Sequence, residues 1–402
     1  MKKIIVIGGG YGGLRAVERL AGIDGLHITL VDRHPYHYLQ TEAYGYIAGR
    51  FDLHDVAIDL KNWCFGFKNG VEFIHDEVTL VDFENRTVHL SDKKLSYDYV
   101  IMAIGAETNF FSFIKGLREY SHGVKKLQRA FDFRSSFEKL LYTKVEHPLD
   151  EAKGELNIAV GGAGLSGVEI AAEMADVIKK HTKSIGESTR DIRIHLIDAA
   201  ATILPGMSDY IVTRTQERLE ELGIIIRTNA FIESVDKTTI RFKDGQSLEY
   251  FFMIFTGGIK VPSFALSKEV EKNGLNQFLV DAFMRIPGET NVFAVGDCVE
   301  IRDAKGNILP PTAQTAERSA EYVANAIKEE LQHRELKPFH ASIDGVFVAL
   351  GGEYAVGEMF NIIKVKGYSA YLLKKLITYT YYLGLKLRLN TGFKKRTKPF
   401  ED

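Results

Sequence analysis

The sequence predicts an α/β protein built from two strand–turn–helix–strand units and a distinct C-terminal module. Two glycine fingerprints carry the first part of that prediction: Gly8-x-Gly10-x-x-Gly13 and Gly162-x-Gly164-x-x-Gly167. Each follows a short apolar run, Ile4-Ile5-Val6-Ile7 or Ile158-Ala159-Val160, and each opens a helix-prone stretch. A further apolar run after each helix ends on an acid, Asp32 or Asp198. Charge carries the second part. Residues 359–400 hold ten Lys/Arg and no Asp or Glu, so in a 402-residue chain of net charge −2 the body is acidic and the tail basic.

In the first unit, KKIIVIGGGYGGLRAVERL followed by HITLVDR, Gly8 permits the tight turn out of the strand. Gly10 leaves room for a pyrophosphate to approach the backbone, and Gly13 allows close helix–sheet packing. The anion then meets the free N–H groups and partial positive charge of a helix N-terminus. Asp32, about 20 residues on, is placed to accept bonds from ribose hydroxyls.

The second unit, LNIAVGGAGLSGVEIAAEMADVIKK followed by DIRIHLIDAA, repeats these roles at Gly162, Gly164, Gly167 and Asp198. An acid there repels a 2′-phosphate and favours NADH over NADPH, with Arg190 and Arg193 nearby in sequence. Two such units imply two dinucleotides, most economically one nicotinamide and one bound flavin in a redox relay. Glu169, in the first turn of the second helix, either stabilises the helix dipole or lies beside the nicotinamide and handles a proton or hydride.

The remaining elements follow in order. Tyr99–Ala106 and Phe251–Gly258 read as apolar strands ending in small residues, where the chain passes close to a cofactor. Leu127–Lys139 reads as a helical crossover. Asn291–Cys298 is a buried strand that delivers Asp297 at its carboxyl end, where open α/β sheets bind ligands. Pro310 and Pro311 stop what precedes them, and Thr312 is the N-cap of a helix from Ala313 whose positive end faces the flavin. In the tail, Leu372, Leu373, Leu376, Ile377, Tyr379, Leu383 and Leu387 share one side of a helical wheel. Lys374, Lys375, Thr378, Lys386 and Arg388 share the other. Such a helix lies in a bilayer interface with a basic rim; alternatively its leucine face packs on the body or on a second copy, or the tail is merely a solvated basic one.

Several classes are disfavoured. The two cysteines, Cys64 and Cys298, form no disulfide framework and no metal-ligand spacing, which fits a reducing compartment. The first strand begins at Lys3, leaving no signal peptide, and no uncharged run is long enough for a membrane span. The acidic body and Leu- and Tyr-rich tail argue against nucleic-acid binding.

Taken together, IGGGYGGL, LVDRHPYHYL, AIGAETNFF, GGAGLSGVEIAAE, TNVFAVGDC and PPTAQTAE resemble the two-dinucleotide-binding (glutathione-reductase-like) flavoproteins over essentially the whole chain. With the C-terminal KVKGYSAYLLKKLITYTYYL, the sequence is most similar to type II NADH dehydrogenases, single-subunit NADH:quinone oxidoreductases that do not pump protons. The resemblance implies two Rossmann-like dinucleotide-binding domains, the second inserted in the first, plus a C-terminal membrane-associating module. The FAD-binding domain would be split over 1–115 and 257–335, with NADH bound by 116–256 and the module at 336–402.

It also implies a tight, non-covalent FAD facing Gly8, Gly10, Tyr11, Gly12, Gly13, Asp32, Arg33, Val78, Ala103, Gly105, Gly296, Asp297, Ala313, Gln314 and Ala316. NADH would face Gly162, Gly164, Leu165, Ser166, Gly167, Glu169, Asp198 and Gly257, and no metal is implied. The quinone would meet Gln314, with Arg318 one turn on and Lys364 in the tail as further candidates. The implied setting is peripheral, on the cytoplasmic face of the cell membrane, and compatible with a homodimer.

Two departures leave the acceptor open. The family motif Ala-Gln-x-Ala-x-Gln keeps Ala313, Gln314 and Ala316 but ends here on Arg318, and the family's Pro is missing after His37. A sulfide:quinone oxidoreductase would need a cysteine pair at the flavin, and neither Cys64 nor Cys298 lies where one is expected. A dithiol reductase would need a CxxxxC pair after the first fingerprint. A flavoprotein with another acceptor or a redox-sensing role is the remaining alternative.

Overall fold

The computed structural model describes residues 1–146, 156–185, 192–360 and 362–389. Arg190 and the last part of the basic tail, from 390 onward, lie outside the described residues. The chain starts with β1 (Lys2–Ile7), α1 (Tyr11–Leu20), β2 (Leu26–Asp32), β3 (Val71–His75) and β4 (Tyr99–Met102). It continues with α2 (Leu127–Glu146), β5 (Leu156–Gly161), α3 (Leu165–Ile185), β6 (Ile192–Ile197), β7 (Ile225–Arg227) and β8 (Phe252–Phe255). Then come β9 (Val292–Ala294), α4 (Ala313–Leu331), β10 (Gly345–Ala349), β11 (Ala355–Met359), β12 (Ile363–Gly367) and α5 (Tyr368–Leu389).

Two parallel sheets organise these elements. The first has the order β9-β4-β1-β2-β3 and the second β7-β6-β5-β8. Helices cover both faces of such sheets, so their strands are continuously apolar. Ile4, Val6, Ile158 and Val160 are fully buried for that reason. The first sheet takes its edge strand β9 from beyond the whole second sheet. A short antiparallel ribbon of Glu107–Thr108 with Ile259–Lys260 lies where the chain passes between them.

Helix α1 packs against α4. The start of α4 is fixed as the sequence indicates: Thr312 caps it, and its side chain and that of Thr315 exchange bonds with each other's backbone N–H groups.

The C-terminal region is more structured than its basic composition announces. β10, β11 and β12 form an antiparallel meander, and Val348, Ala349, Leu350 and Val356 join the core around α3. Helix α5 spans the two halves. Its Lys374 reaches Glu169 on α3, while Leu385 enters the core of the first sheet. Among the described residues no helix is long and apolar enough to cross a membrane.

Candidate active site

The two glycine turns have the same geometry. Gly8 and Gly162 sit at φ +106° and +101°, in the region that favours glycine. A Cβ on Gly13 would lie 1.8 Å from the Gly8 carbonyl oxygen, and one on Gly167 would lie 1.8 Å from that of Gly162. A Cβ on Gly10 or Gly164 would meet nothing within 4 Å. The outer glycines therefore serve packing, and the middle one faces open space at a helix N-terminus, as a bound diphosphate requires. The two acids also match. Asp32 accepts from the Gly9 and His34 amides at 2.5 and 2.6 Å, and Asp198 from the Ala163 and Ala200 amides at 2.6 and 2.7 Å.

A cavity of about 940 Å³ runs over the first turn. Most of the predicted flavin-facing residues line it: Gly8, Gly10, Tyr11, Gly12, Asp32, Arg33, Val78, Ala103, Gly105, Gly296, Asp297, Ala313 and Ala316. Gly13 lies behind them, packed on Gly8. From the second unit Leu165, Ser166 and Glu169 reach the same cavity. Gly162, Gly164, Gly167, Asp198 and Gly257 are not part of its lining; they form the second turn, where Gly257 backs onto Gly162. Asp297 pairs with Lys125, another lining residue, at 2.7 Å. The volume and mixed lining suit a large cofactor, and the open middle glycine, helix start and acid fit the diphosphate and ribose of FAD.

The tail helix closes the cavity through Lys374. Its ammonium donates to Glu169 Oε1 at 2.6 Å, and the Ala349 amide donates to the same oxygen at 2.9 Å. Both side chains are largely buried. Burial pushes the Glu169 carboxyl above the ordinary range, against the pull of Lys374. Burial also works against the Lys374 charge, but Glu169 and Glu42 outweigh it and raise its pKa. Beside them, the Glu42 carboxylate accepts from Lys375 at 3.3 Å and Thr378 at 3.1 Å.

Four sequence expectations are corrected here. Gln314 faces away from the cavity, and its amide oxygen accepts from the Asp344 N–H at 3.2 Å. Arg318 is held by the Ser342 carbonyl at 2.6 Å and by the Asp344 carboxylate, so its charge is engaged outside the cavity. Lys364 sits exposed on β12, over the Tyr210 ring at 5.2 Å, and does not reach the cavity either. Finally, Lys374, Lys375 and Thr378 do not rim a surface. They face the body, and Leu372, Leu376, Ile377, Tyr379, Leu383 and Leu387 face outward.

Sequence reasoning missed Lys125, Lys374 and Lys375 as paired groups, along with Glu42. The available signal was the spacing of Ala370, Lys374, Thr378, Tyr381 and Leu385, one stripe of a helix that could as well face inward. Both cysteines are free and buried, and burial pushes each thiol up to about 12.

A profile of the pyridine nucleotide-disulphide oxidoreductase family matches residues 2–328. The demethylphylloquinone reductase NdbB of Synechocystis sp. is 27% identical and covers 100% of this chain and 97% of its own. The type II NADH:quinone oxidoreductase of Staphylococcus saprophyticus is 26% identical, covering 94% of each. Among solved structures, NDH2 from Plasmodium falciparum in complex with NADH superposes with a TM-score of 0.84 at 22% identity, over 96% of each chain.

Proposed function

The chain belongs to the pyridine nucleotide-disulphide oxidoreductase family, and from that premise we propose that it is a single-subunit, FAD-dependent NADH:quinone oxidoreductase of the type II kind, working at a membrane surface without proton pumping. The observation that carries this is the doubled dinucleotide turn, with groups from both units and the tail helix meeting in one cavity.

FAD would be held by the first turn, Asp32 and Asp297, and NADH by the second turn and Asp198. Domain roles follow: FAD on 1–115 and 257–335, NADH on 116–256. Bound FAD supplies the chemistry that accepts a hydride from NADH and passes two electrons on. The residues supply the setting. The N-terminus of α4, at Ala313, lines the cavity and would offer free N–H groups and partial positive charge to the cofactor. Lys374 holds a proton at Nζ inside the cavity, and Glu169 fixes its direction. A quinone oxygen accepting from Nζ would be polarised there, which replaces Gln314, Arg318 and Lys364 as the acceptor-side groups.

The membrane reading is supported by what α5 leaves outside. Phe360, Ile362, Tyr368, Leu372, Leu376, Ile377, Tyr379 and Leu387 are each about half exposed or more. The last six form an apolar ridge along α5, the helix that carries Lys374, and Phe360 and Ile362 lie between β11 and β12, in the hairpin that leads into it. A peripheral position on the cytoplasmic face would cover that ridge and bring a membrane quinone to the adjoining cavity. Cysteine chemistry fits poorly, because both thiols are buried, held protonated and without a cysteine partner.

Anaerobic mixing with NADH, then with a soluble quinone analogue, tests the proposal. The flavin absorbance should bleach with NADH and return with the quinone. Flavin that stays oxidised sinks the dehydrogenase reading, and reduction without reoxidation by quinone sinks the acceptor.

A further inference from the structure

One set of aromatic groups ties the tail helix to the first dinucleotide turn. His37 is buried, and its Nδ1 lies 2.9 Å from the Gly9 carbonyl oxygen. That oxygen can only accept, so Nδ1 carries the hydrogen. Burial pushes the imidazole down to about 4, so the ring is neutral near pH 7 and Nε2 is an acceptor. The Tyr381 hydroxyl lies 3.2 Å from Nε2, and it must be the donor.

The three rings also pack together. Tyr11 stacks on Tyr381 with centroids 5.1 Å apart and meets His37 edge-on at 4.9 Å. The Tyr11 hydroxyl closes the set on Thr41 Oγ1 at 2.8 Å. Tyr11 is the first residue of α1, and the Gly9 amide is the one that Asp32 holds. Tyr381 therefore braces both sides of the turn: the Gly9 carbonyl through His37, and the start of the helix through Tyr11. His37 and Tyr11 line the cavity and Tyr381 does not.

We propose that Tyr381 is a positioning residue for the diphosphate-binding turn, acting through His37, so that the tail helix sets how tightly FAD is held. The inference rests on the reading of the first turn as the FAD site. An anion at a helix start is bound by amides whose directions are fixed in advance, and a peptide plane free to tilt holds it less well. Loss of the Tyr381 hydroxyl leaves Nε2 a buried acceptor without its donor, and the peptide that His37 holds is released to relax.

The test uses the purified holoprotein and four variants: Tyr381→Phe, His37→Phe, the two combined, and Thr380→Ala. Tyr381→Phe keeps the stacked ring and removes only the hydroxyl. Thr380 is exposed, and its hydroxyl bonds the Ile377 carbonyl within α5. The readout is the rate of FAD release on dilution, followed by the rise in free-flavin fluorescence. Tyr381→Phe should release FAD on the order of tenfold faster, the factor expected when one buried hydrogen bond is lost. Thr380→Ala should behave as the wild type.

The combined variant should release FAD no faster than His37→Phe alone, because Tyr381 acts through that ring. General destabilisation by two independent changes would instead add. Wild-type release from Tyr381→Phe, or an additive combined variant, overturns the inference. A wild-type protein that purifies without FAD overturns the FAD reading itself, and this inference with it.

Discussion

Replacing Lys374 with Met removes half of a buried ion pair while keeping most of its volume. Nζ lies 2.6 Å from Glu169 Oε1, with the two side chains 14% and 12% exposed. The Ala349 amide, at 2.9 Å, would be left as a donor to the carboxylate. Removing one partner of such a pair costs about 3–5 kcal/mol, because the remaining charge is neither solvated nor compensated.

Glu169 limits that cost by taking up a proton. Burial already raises its pKa, and without Lys374 the pKa rises further. A carboxyl whose folded pKa exceeds its unfolded value of roughly 4.3 stabilises the fold below that value and loses the contribution as pH rises through the folded pKa. The deficit of Lys374→Met relative to wild type should therefore be largest at pH 8 and shrink toward pH 5. The double variant Glu169→Gln/Lys374→Met leaves no unpaired charge at this pair, with Glu42 still held by Lys375, and should recover to within about 1–2 kcal/mol of wild type. Urea denaturation followed by circular dichroism, at pH steps between 5 and 8, measures both. A deficit independent of pH, or a double variant no more stable than Lys374→Met, would refute the assignment of Glu169 as the charge that Lys374 neutralises.

Other outcomes follow from the same geometry. Gly13→Ala drives a Cβ to 1.8 Å from the Gly8 carbonyl oxygen and should cripple folding, whereas Gly10→Ala, with nothing within 4 Å, should fold and lose FAD content; soluble yield and flavin absorbance separate the two. Gly164→Ala should likewise raise the KM for NADH at least severalfold while FAD content stays that of the wild type. Leu376→Glu with Ile377→Glu, at positions 58% and 55% exposed, should abolish sedimentation with anionic lipid vesicles and leave flavin bleaching by NADH intact. Arg318→Gln, which frees Asp344 and Ser342, should leave the rate of quinone reoxidation within about twofold, because that side chain is engaged away from the cavity.

What the sequence made legible was local. The roles of Gly13 and Gly167 depend on a contact within one turn, with the carbonyls of Gly8 and Gly162, so spacing alone conveys them; the strand ends at Ala103 and Gly257 that crowd Gly8 and Gly162 are about 95 residues away. Buried parallel strands read as apolar runs, and the Thr312 cap follows from two prolines and one hydroxyl. What it concealed depended on partners far along the chain. Lys374 meets Glu169 across 205 residues, and Lys375 meets Glu42 across 333. Gln314 and Arg318 match, or nearly match, a motif of the quinone side, yet the 342–344 segment claims both. Lys364 lies one turn of chain ahead of the tail helix, but on an extended strand, where the pleat points it outward with Lys366.

The tail helix shows why a two-faced periodicity does not decide orientation. An amphipathic helix on a globular body ordinarily buries its apolar stripe. Here the body offers two buried carboxylates, Glu42 and Glu169, which would be costly to leave unpaired. Lys374, Lys375 and Thr378 satisfy them, and Tyr381 reaches His37 from the same side. Turning the helix over would strand two carboxylates inside and two ammonium groups outside, so the inward polar stripe follows from charge. The outward leucine ridge is the consequence. In water that ridge is unfavourable at roughly 25 cal/mol per Å², and a lipid surface removes the penalty without disturbing the ion pairs beneath. On the proposed reading, one helix would hold a proton donor at the cavity, brace the first dinucleotide turn and offer an apolar face to a lipid surface, because its two stripes answer to different partners.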